Sequence, residues 1–455
     1  MRHVGLWIVC LTALLSLAVR PSLGAETDRL PRVATFRCDI TPPLGQPMFS
    51  CDALRTVEQP LLAKGVVLES DGQRYVMCAL DWCLLGNGSY DALRAKIAAA
   101  AGTEVSHVAL QTVHEHTAPL ADGDAEKLLA DIGQPRTALN SQVLEEIGQR
   151  LAAAVQQSLD HFEPFDQVGA GQAKVERVAA TRRAFDADGK LQTRFSTCKD
   201  PAIRTLPEGT IDPYLKTITF ARGRKPLVRL HYYATHPQTV YGDGRASSDV
   251  AGDAREKMEQ KEGVFQIYFN GCGGDVTMGK YNGGSREDRD GLASRLLAGM
   301  ETAAAATKLV PAGPIQWRTY ALRMPARTDA GFALADYLTI MKDREIVPVR
   351  RVYHGAGRVV FLKRIQQPIE ATSLQIGGVH VVHLPGEPMI GFQLFAQSLK
   401  PKDFVAVAGY GDSGPGYLCL AKAFSEGGYE PSSSSVAPES EALIKKAIGS
   451  LLGAD

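Results

Sequence analysis

The chain has 455 residues, and its 50 basic and 50 acidic side chains cancel. That balance provides no basic field for a nucleic-acid partner. Once an N-terminal leader is set aside, the chain is long enough for one large α/β domain or two smaller ones.

The opening stretch "MRHVGLWIVCLTALLSLAVRPSLGAETD" has a short basic start, an apolar core from Val4 to Val19, and the small residues Ser22 and Gly24 ahead of a cut before Ala25. This pattern predicts a secretory signal over 1–24 and a mature chain over 25–455, secreted or periplasmic. The apolar run is short for a membrane span, and no later segment is long and apolar enough to be one. With Cys10 in the signal, Cys38, Cys51, Cys78, Cys83, Cys198, Cys272 and Cys419 remain, an odd set that leaves at least one thiol free or paired between chains. No C-x-x-C pair is present, which argues against a structural cysteine–zinc site. Cys38 and Cys51 are close enough in sequence to be disulfide candidates in an oxidising compartment.

"YVMCALDW" reads as a buried strand, "SYDALRAKIAAAAG" as a helix with a Ser or Asp cap and a glycine stop, and "VSHVALQTV" as the next strand. Together they predict a β-α-β unit with a parallel pair. "QTVHEHTAPL" follows. Along a strand successive side chains alternate in direction, so His114 and His116 are expected to point the same way, into one cleft, for metal ligation or proton transfer. The plainer alternative is that both cap a loop through hydrogen bonds.

"SQVLEEIGQRLAAAVQQSLD" is a long amphipathic helix and "QVGAGQAKVE" a strand. The alternation recurs: "LVRLHYYATH" and "VFQIYFNGCGGDV" are strands flanking the helix "SSDVAGDAREKMEQ", with Ser248 or Asp249 as its N-cap. "DGLASRLLAGMETAAAAT" is another helix; "PIQWRTYALRMPA" and "RVVFLKRIQQPIEATSLQIG" read as antiparallel strands; "VHVVHLPGEPMIGFQLFAQSL" is strand, turn, helix; and the "EPSSSS" loop precedes a final helix. No low-complexity linker divides these blocks. The predicted fold is α/β, mixed sheets layered with helices in a single large domain.

Polar clusters fall where strands end, the usual place for ligands in α/β folds. They are His114 and His116; "ATHPQT" with His236; "NGCGGDVTMGKYNGG" with Asp275 and Thr277; "LPGEP" with Glu387; and "GYGDSGPGYLCLAKAFSEGGYE" with Tyr417 and Tyr429. Each alone is weak, and "PGEP" read by itself is a turn whose Glu387 caps the next helix. Their convergence on strand ends raises the functional reading.

In order and spacing, "DITPPLG", "HEHTAPL", "ATHPQ", "NGCGGDVT", "LPGEP" and the Tyr417–Tyr429 pair resemble the catalytic domain of the neutral ceramidase family over nearly the whole mature chain. Its members are zinc amidases that cleave the amide between a fatty acid and a sphingoid base. The resemblance implies a single catalytic domain over 25–455, with Zn²⁺ held by His114, His236, Glu387 and Tyr417. It places His116 on the substrate or in proton transfer, Thr277 and Asp275 in the catalytic loop, and Tyr429 and Arg182 on the substrate, with Arg183 as the alternative arginine. It also implies an N-acyl substrate, lipid or small molecule.

Two departures stand out. Thr277 occupies the position of the family's serine, keeping a hydroxyl but with a stiffer rotamer. Glu115 replaces a small neutral residue between the histidines, and a polar site containing it suits a glycan, cut by deacetylation or at the glycan chain, as the alternative substrate. A secreted, non-catalytic metal-binding protein is the third reading. The glycine-rich loop before Thr277 is expected to offer backbone N–H groups to an oxyanion.

Overall fold

Strands buried on both faces read as continuous apolar runs, and three pairs of such runs, each joined through a helix, organise the computed structural model. It describes residue 1, residues 30–135 and residues 138–454, so the expected signal segment lies, save for Met1, outside the described residues.

The first sheet has the order Val108–Thr112, Gln73–Leu80, Leu62–Ser70, Arg32–Asp39, Glu163–Pro164. Its first two strands are parallel and connected through the helix Asn87–Ala101, the expected β-α-β unit. In the second sheet, Lys225–Tyr233 and Phe265–Asn270 form a parallel pair joined through the helix Asp249–Glu262. In the third, Val379–His383 and Phe404–Ala408 pair in parallel through Ile390–Leu399. The later strand of each pair stands at the edge of its sheet.

These three edges meet. The Thr112 N–H donates to the Tyr410 carbonyl at 2.8 Å, and the Gly409 N–H to the Asn270 carbonyl at 3.0 Å. Asn270 Nδ2 donates to the Val113 carbonyl at 3.1 Å, and the buried Gln111 amide donates to the carbonyls of Leu384 and Gly409, both at 3.0 Å. Edge groups left unpaired inside a protein carry a desolvation cost, which this knot of bonds removes. It also brings the C-terminal ends of the parallel pairs, and hence the loops that follow them, to one place.

The core between the sheets includes Val66, Met77, Leu230, Ile267 and Val381, all completely buried. Side chains of this size contribute about 1.5–3 kcal/mol each on full burial. Asn87–Ala101 and Ser141–Ser158 cover the outer face of the first sheet, and Ile390–Leu399 and Ser440–Leu452 that of the third. No helix among the described residues is long and apolar enough to cross a membrane.

Several expectations are corrected. Only Ile369–Ile376 of the segment 358–377 is a strand, paired antiparallel with Ile315–Leu322 as expected. Gly357–Lys363 is helical, continuing Pro348–Arg351 through a π-turn at Val352–Ala356. The run "RVVFLK" looks β-branched, but buried Val352, Ala356 and Val359 recur at helical spacing and pack on Leu129 and Tyr337 in a side cluster. Cys38 and Cys51 are free thiols, as are the other cysteines among the described residues. The helix Asn87–Ala101 begins after Gly86 with no side-chain cap and ends, as expected, at Gly102 in the left-handed conformation. Ser248 is the N-cap of the next crossover helix but makes no capping bond; Asp249 instead accepts from the N–H and hydroxyl of Thr239.

Candidate metal centre

His114 and His116 are not on a strand. The strand ends at Thr112, and His114 takes a φ of 71°, so a left-handed reversal rather than the β-pleat swings both rings to the same side. Their Nε2 atoms lie 3.3 Å apart. Left-handed backbone is uncommon outside glycine, although histidine adopts it more readily than most residues, and it clusters at functional sites. The same reversal sends Glu115 the other way. It is completely buried, neither carboxylate oxygen has a partner, and burial together with nearby Asp81 pushes its pKa well up, so it presents no charge to the histidines.

His236 follows the first strand of the second sheet's pair, Glu387 the corresponding strand of the third, and Tyr417 pairs beside Glu387 in a two-residue parallel bridge. One donor atom each from His114, His236 and Glu387 lies within 4.8 Å of the others. Glu387 Oε2 is 3.3 Å from His114 Nε2 and 3.6 Å from His236 Nε2. The Tyr417 hydroxyl is 3.2 Å from His236 Nε2.

Each imidazole is set by its far nitrogen. His114 Nδ1 donates to the Cys83 carbonyl at 2.9 Å, and His236 Nδ1 to the Gly273 carbonyl at 2.7 Å. Such bonds fix the tautomer and leave the Nε2 lone pair free for a metal. Burial lowers the pKa of His114 and takes that of His236 down to about 3, so both rings are neutral at pH 7. Burial acts to raise Glu387, but the two imidazoles and the Tyr353 hydroxyl hold its carboxyl below the usual range. Two neutral imidazoles and a carboxylate, of which Oε2 is buried without a hydrogen-bond donor, fit a zinc ion with an open coordination position.

Cys83, His114 and His116 form a second close group. There the Cys83 sulfur faces His114 Nδ1, at 4.0 Å, the nitrogen already bonded to the Cys83 carbonyl, and burial keeps the thiol protonated. The His114–His236–Glu387 set is the better donor set.

Arg182, rather than Arg183, reaches this centre: its Nη1 donates to the Tyr417 hydroxyl at 2.8 Å, and its guanidinium lies 5.4 Å from the Tyr429 ring centroid. Arg183 turns away to pair with Glu426 and Glu430. Tyr429 packs edge-on against both Tyr417 and the exposed Phe195. His116 is flanked by Phe49 and by Tyr241.

Thr277 and Asp275 stand one step back. The Thr277 hydroxyl donates to Ser196 Oγ at 3.2 Å, and Ser196 donates in turn to Gln238 at 2.7 Å. Asp275 Oδ1 accepts the Ile390 N–H at 2.7 Å, so it is Asp275, not Glu387, that caps the helix after "PGEP". In the glycine-rich loop the N–H groups of Gly271, Cys272, Gly273 and Gly274 are bonded to Tyr233, Gln393, Gly271 and Pro388, which leaves none of these four to serve an oxyanion.

Three residues of the centre carry no sequence motif. Tyr353, on the π-turn, donates to Glu387 Oε1. Tyr410 stacks on His114 with centroids 4.5 Å apart and has a φ of 63°. Cys83 supplies the carbonyl that orients His114. Only "GYG" around Tyr410, next to a strand end, offered a signal.

The chain has the fold of the neutral ceramidases. A ceramidase complexed with C2 superposes with a TM-score of 0.68 at 14% identity, over 92% of this chain and 74% of that one. A neutral ceramidase from Pseudomonas aeruginosa gives the same score and identity over 94% and 75%. No family model and no curated protein sequence matches the chain.

Proposed function

We propose that the protein is an exported zinc-dependent hydrolase that cleaves an N-acyl amide bond. The observation that carries this reading is the buried Oε2 of Glu387, without a donor and facing the free Nε2 atoms of His114 and His236. These three residues would hold the ion, with the Tyr417 hydroxyl beside them. Zinc bound there supplies Lewis acidity toward a carbonyl oxygen and toward water.

The chain's own residues do the rest. Tyr353 fixes the carboxylate, and Cys83 and Gly273 fix the rings through their carbonyls. Arg182 donates to the Tyr417 hydroxyl and favours its phenolate against the burial that raises its pKa. His116, kept neutral by burial, accepts at Nε2 the proton released on hydrolysis and delivers it to the leaving amine. Phe49 and Tyr241 flank His116, and Tyr429 lies against Tyr417, aromatic surface suited to an acyl or alkyl group. The fold shared with ceramidases supports the amide as the bond attacked. Because Glu115 is buried and turned from the histidines, it gives a sugar substrate no support.

The test is a hydrolysis screen of the purified mature protein, with zinc and with chelator, against N-acyl sphingoid lipids, N-acyl amino acids and acetylated glycans. Zinc-dependent release of fatty acid from an N-acyl compound is the expected result. Activity on glycans alone, or none on any class, overturns the proposal.

A further inference from the structure

An open cavity of about 620 Å³ that shares no lining residue with the histidine centre is bordered by Arg177, Arg204, Lys280 and Arg295. Lys280 is occupied: its ammonium donates to the carbonyls of Arg204 and Thr205. The three arginines are not. Among the described residues none of them forms an ion pair, and the one side-chain hydrogen bond among them runs from Arg295 Nε to the Arg177 carbonyl, at 3.0 Å. Four of the chain's 50 basic residues thus line one cavity, three of them as guanidinium groups outside any ion pair.

The backbone forces them together. Arg295 lies on the helix Arg286–Ala305, and one turn further along Gly299 meets Val175 so closely that a Cβ on Gly299 would sit 2.4 Å from Val175 Cγ2. That contact pins the end of the strand Gln167–Lys174 to the helix, and Arg177 follows at a φ of 58°, a conformation that costs about 1 kcal/mol or more in a residue with a side chain. Arg177 and Arg295 are thus held near one another, and their repulsion lowers the Arg295 pKa beyond what burial does. Asp288 and Glu287 also border the cavity, and Asp288 attracts Arg295; its Oδ2 accepts the Gly283 N–H at 2.7 Å, and the two acids leave the four bases in excess.

Three guanidinium groups lining one cavity, none of them in an ion pair, suit a tetrahedral oxyanion, which accepts several charge-assisted bonds at once. The cavity far exceeds the size of such an ion, and Tyr281 and Pro201 add apolar wall for an organic substituent. We propose that this cavity binds a phosphate monoester, its oxyanion held by Arg177, Arg204 and Arg295. The site is independent of the histidine centre and of the reading given to it.

Titration calorimetry with inorganic phosphate and with glucose 6-phosphate, at an ionic strength fixed with sodium chloride, tests this. Both should bind saturably to the wild type, the ester more tightly, and Arg177→Gln and Arg295→Gln should each weaken binding at least about tenfold. Arg177 is exposed, so its variant keeps the fold even if Arg295→Gln does not. Absence of saturable binding overturns the proposal, as does unchanged binding in Arg177→Gln, which would place the phosphate elsewhere, for example on the metal.

Discussion

The hydroxyl of Tyr353 donates to Oε1 of Glu387 and leaves Oε2 of the same carboxylate for the imidazoles. Tyr353 is itself held: the Arg358 guanidinium lies 4.4 Å from its ring centroid, and Arg358 is anchored on the carbonyls of Ser413 and Gly414. A π-turn places the tyrosine, in keeping with the frequent occurrence of such turns at functional sites. Tyr353→Phe should therefore weaken zinc binding by about 10–100-fold while preserving the fold. Competition with a chromophoric chelator measures this, and equal affinity in the two proteins would remove Tyr353 from the centre's support.

Thr277 presents a sharper test of the catalytic loop. Its hydroxyl reaches the centre only through neighbours, donating to Ser196. If that hydroxyl takes part in the reaction, Thr277→Val should lower turnover by about 10²-fold or more at unchanged zinc content, and Thr277→Ser should retain it. Equal rates in all three proteins would make the residue a scaffold that joins "GGDVT" to the segment carrying Ser196.

Acid should destabilise the protein partly through His231. Burial takes its pKa from 6.5 to about 4, and it sits between Thr217 Oγ1 at 2.8 Å and Gln266 Oε1 at 2.7 Å. Above pH 6.5 the ring is neutral in both states and costs nothing. As pH falls from 6.5 toward 4 the unfolded chain takes up a proton that the folded chain refuses, and stability declines by on the order of 3 kcal/mol. Urea midpoints of the wild type should drop across this window, and those of His231→Asn should drop less. Parallel curves would assign the acid sensitivity to other groups.

The sequence carried the strand-helix-strand units because strands buried on both faces are written as unbroken apolar runs, and it carried the polar residues at their ends because His, Glu and Tyr beside such runs are conspicuous. The resemblance to ceramidases is matched at the level of fold. What it did not carry is informative. The side-by-side placement of His114 and His116 was anticipated from a pleat, whereas a left-handed residue produces it, and nothing local in "TVHEH" announces a positive φ at histidine. Tyr353 and Cys83 were invisible because each acts through one bond to a residue distant in sequence. The helix over 357–363 was misread because valines favour strands in isolation, and only packing against Leu129 and Tyr337 selects the helical period.

On the proposed reading His114, His236 and Glu387 hold one zinc ion while His116, 3.3 Å from His114, does not. Metal content after stripping and reconstitution, read by plasma mass spectrometry on the wild type and on His114→Ala, His236→Ala, Glu387→Gln and His116→Ala, tests it most directly. About one zinc per chain is predicted for the wild type and for His116→Ala, with little or none in the other three. A wild type that takes up no zinc, or a His116→Ala variant as empty as His114→Ala, would overturn the zinc assignment.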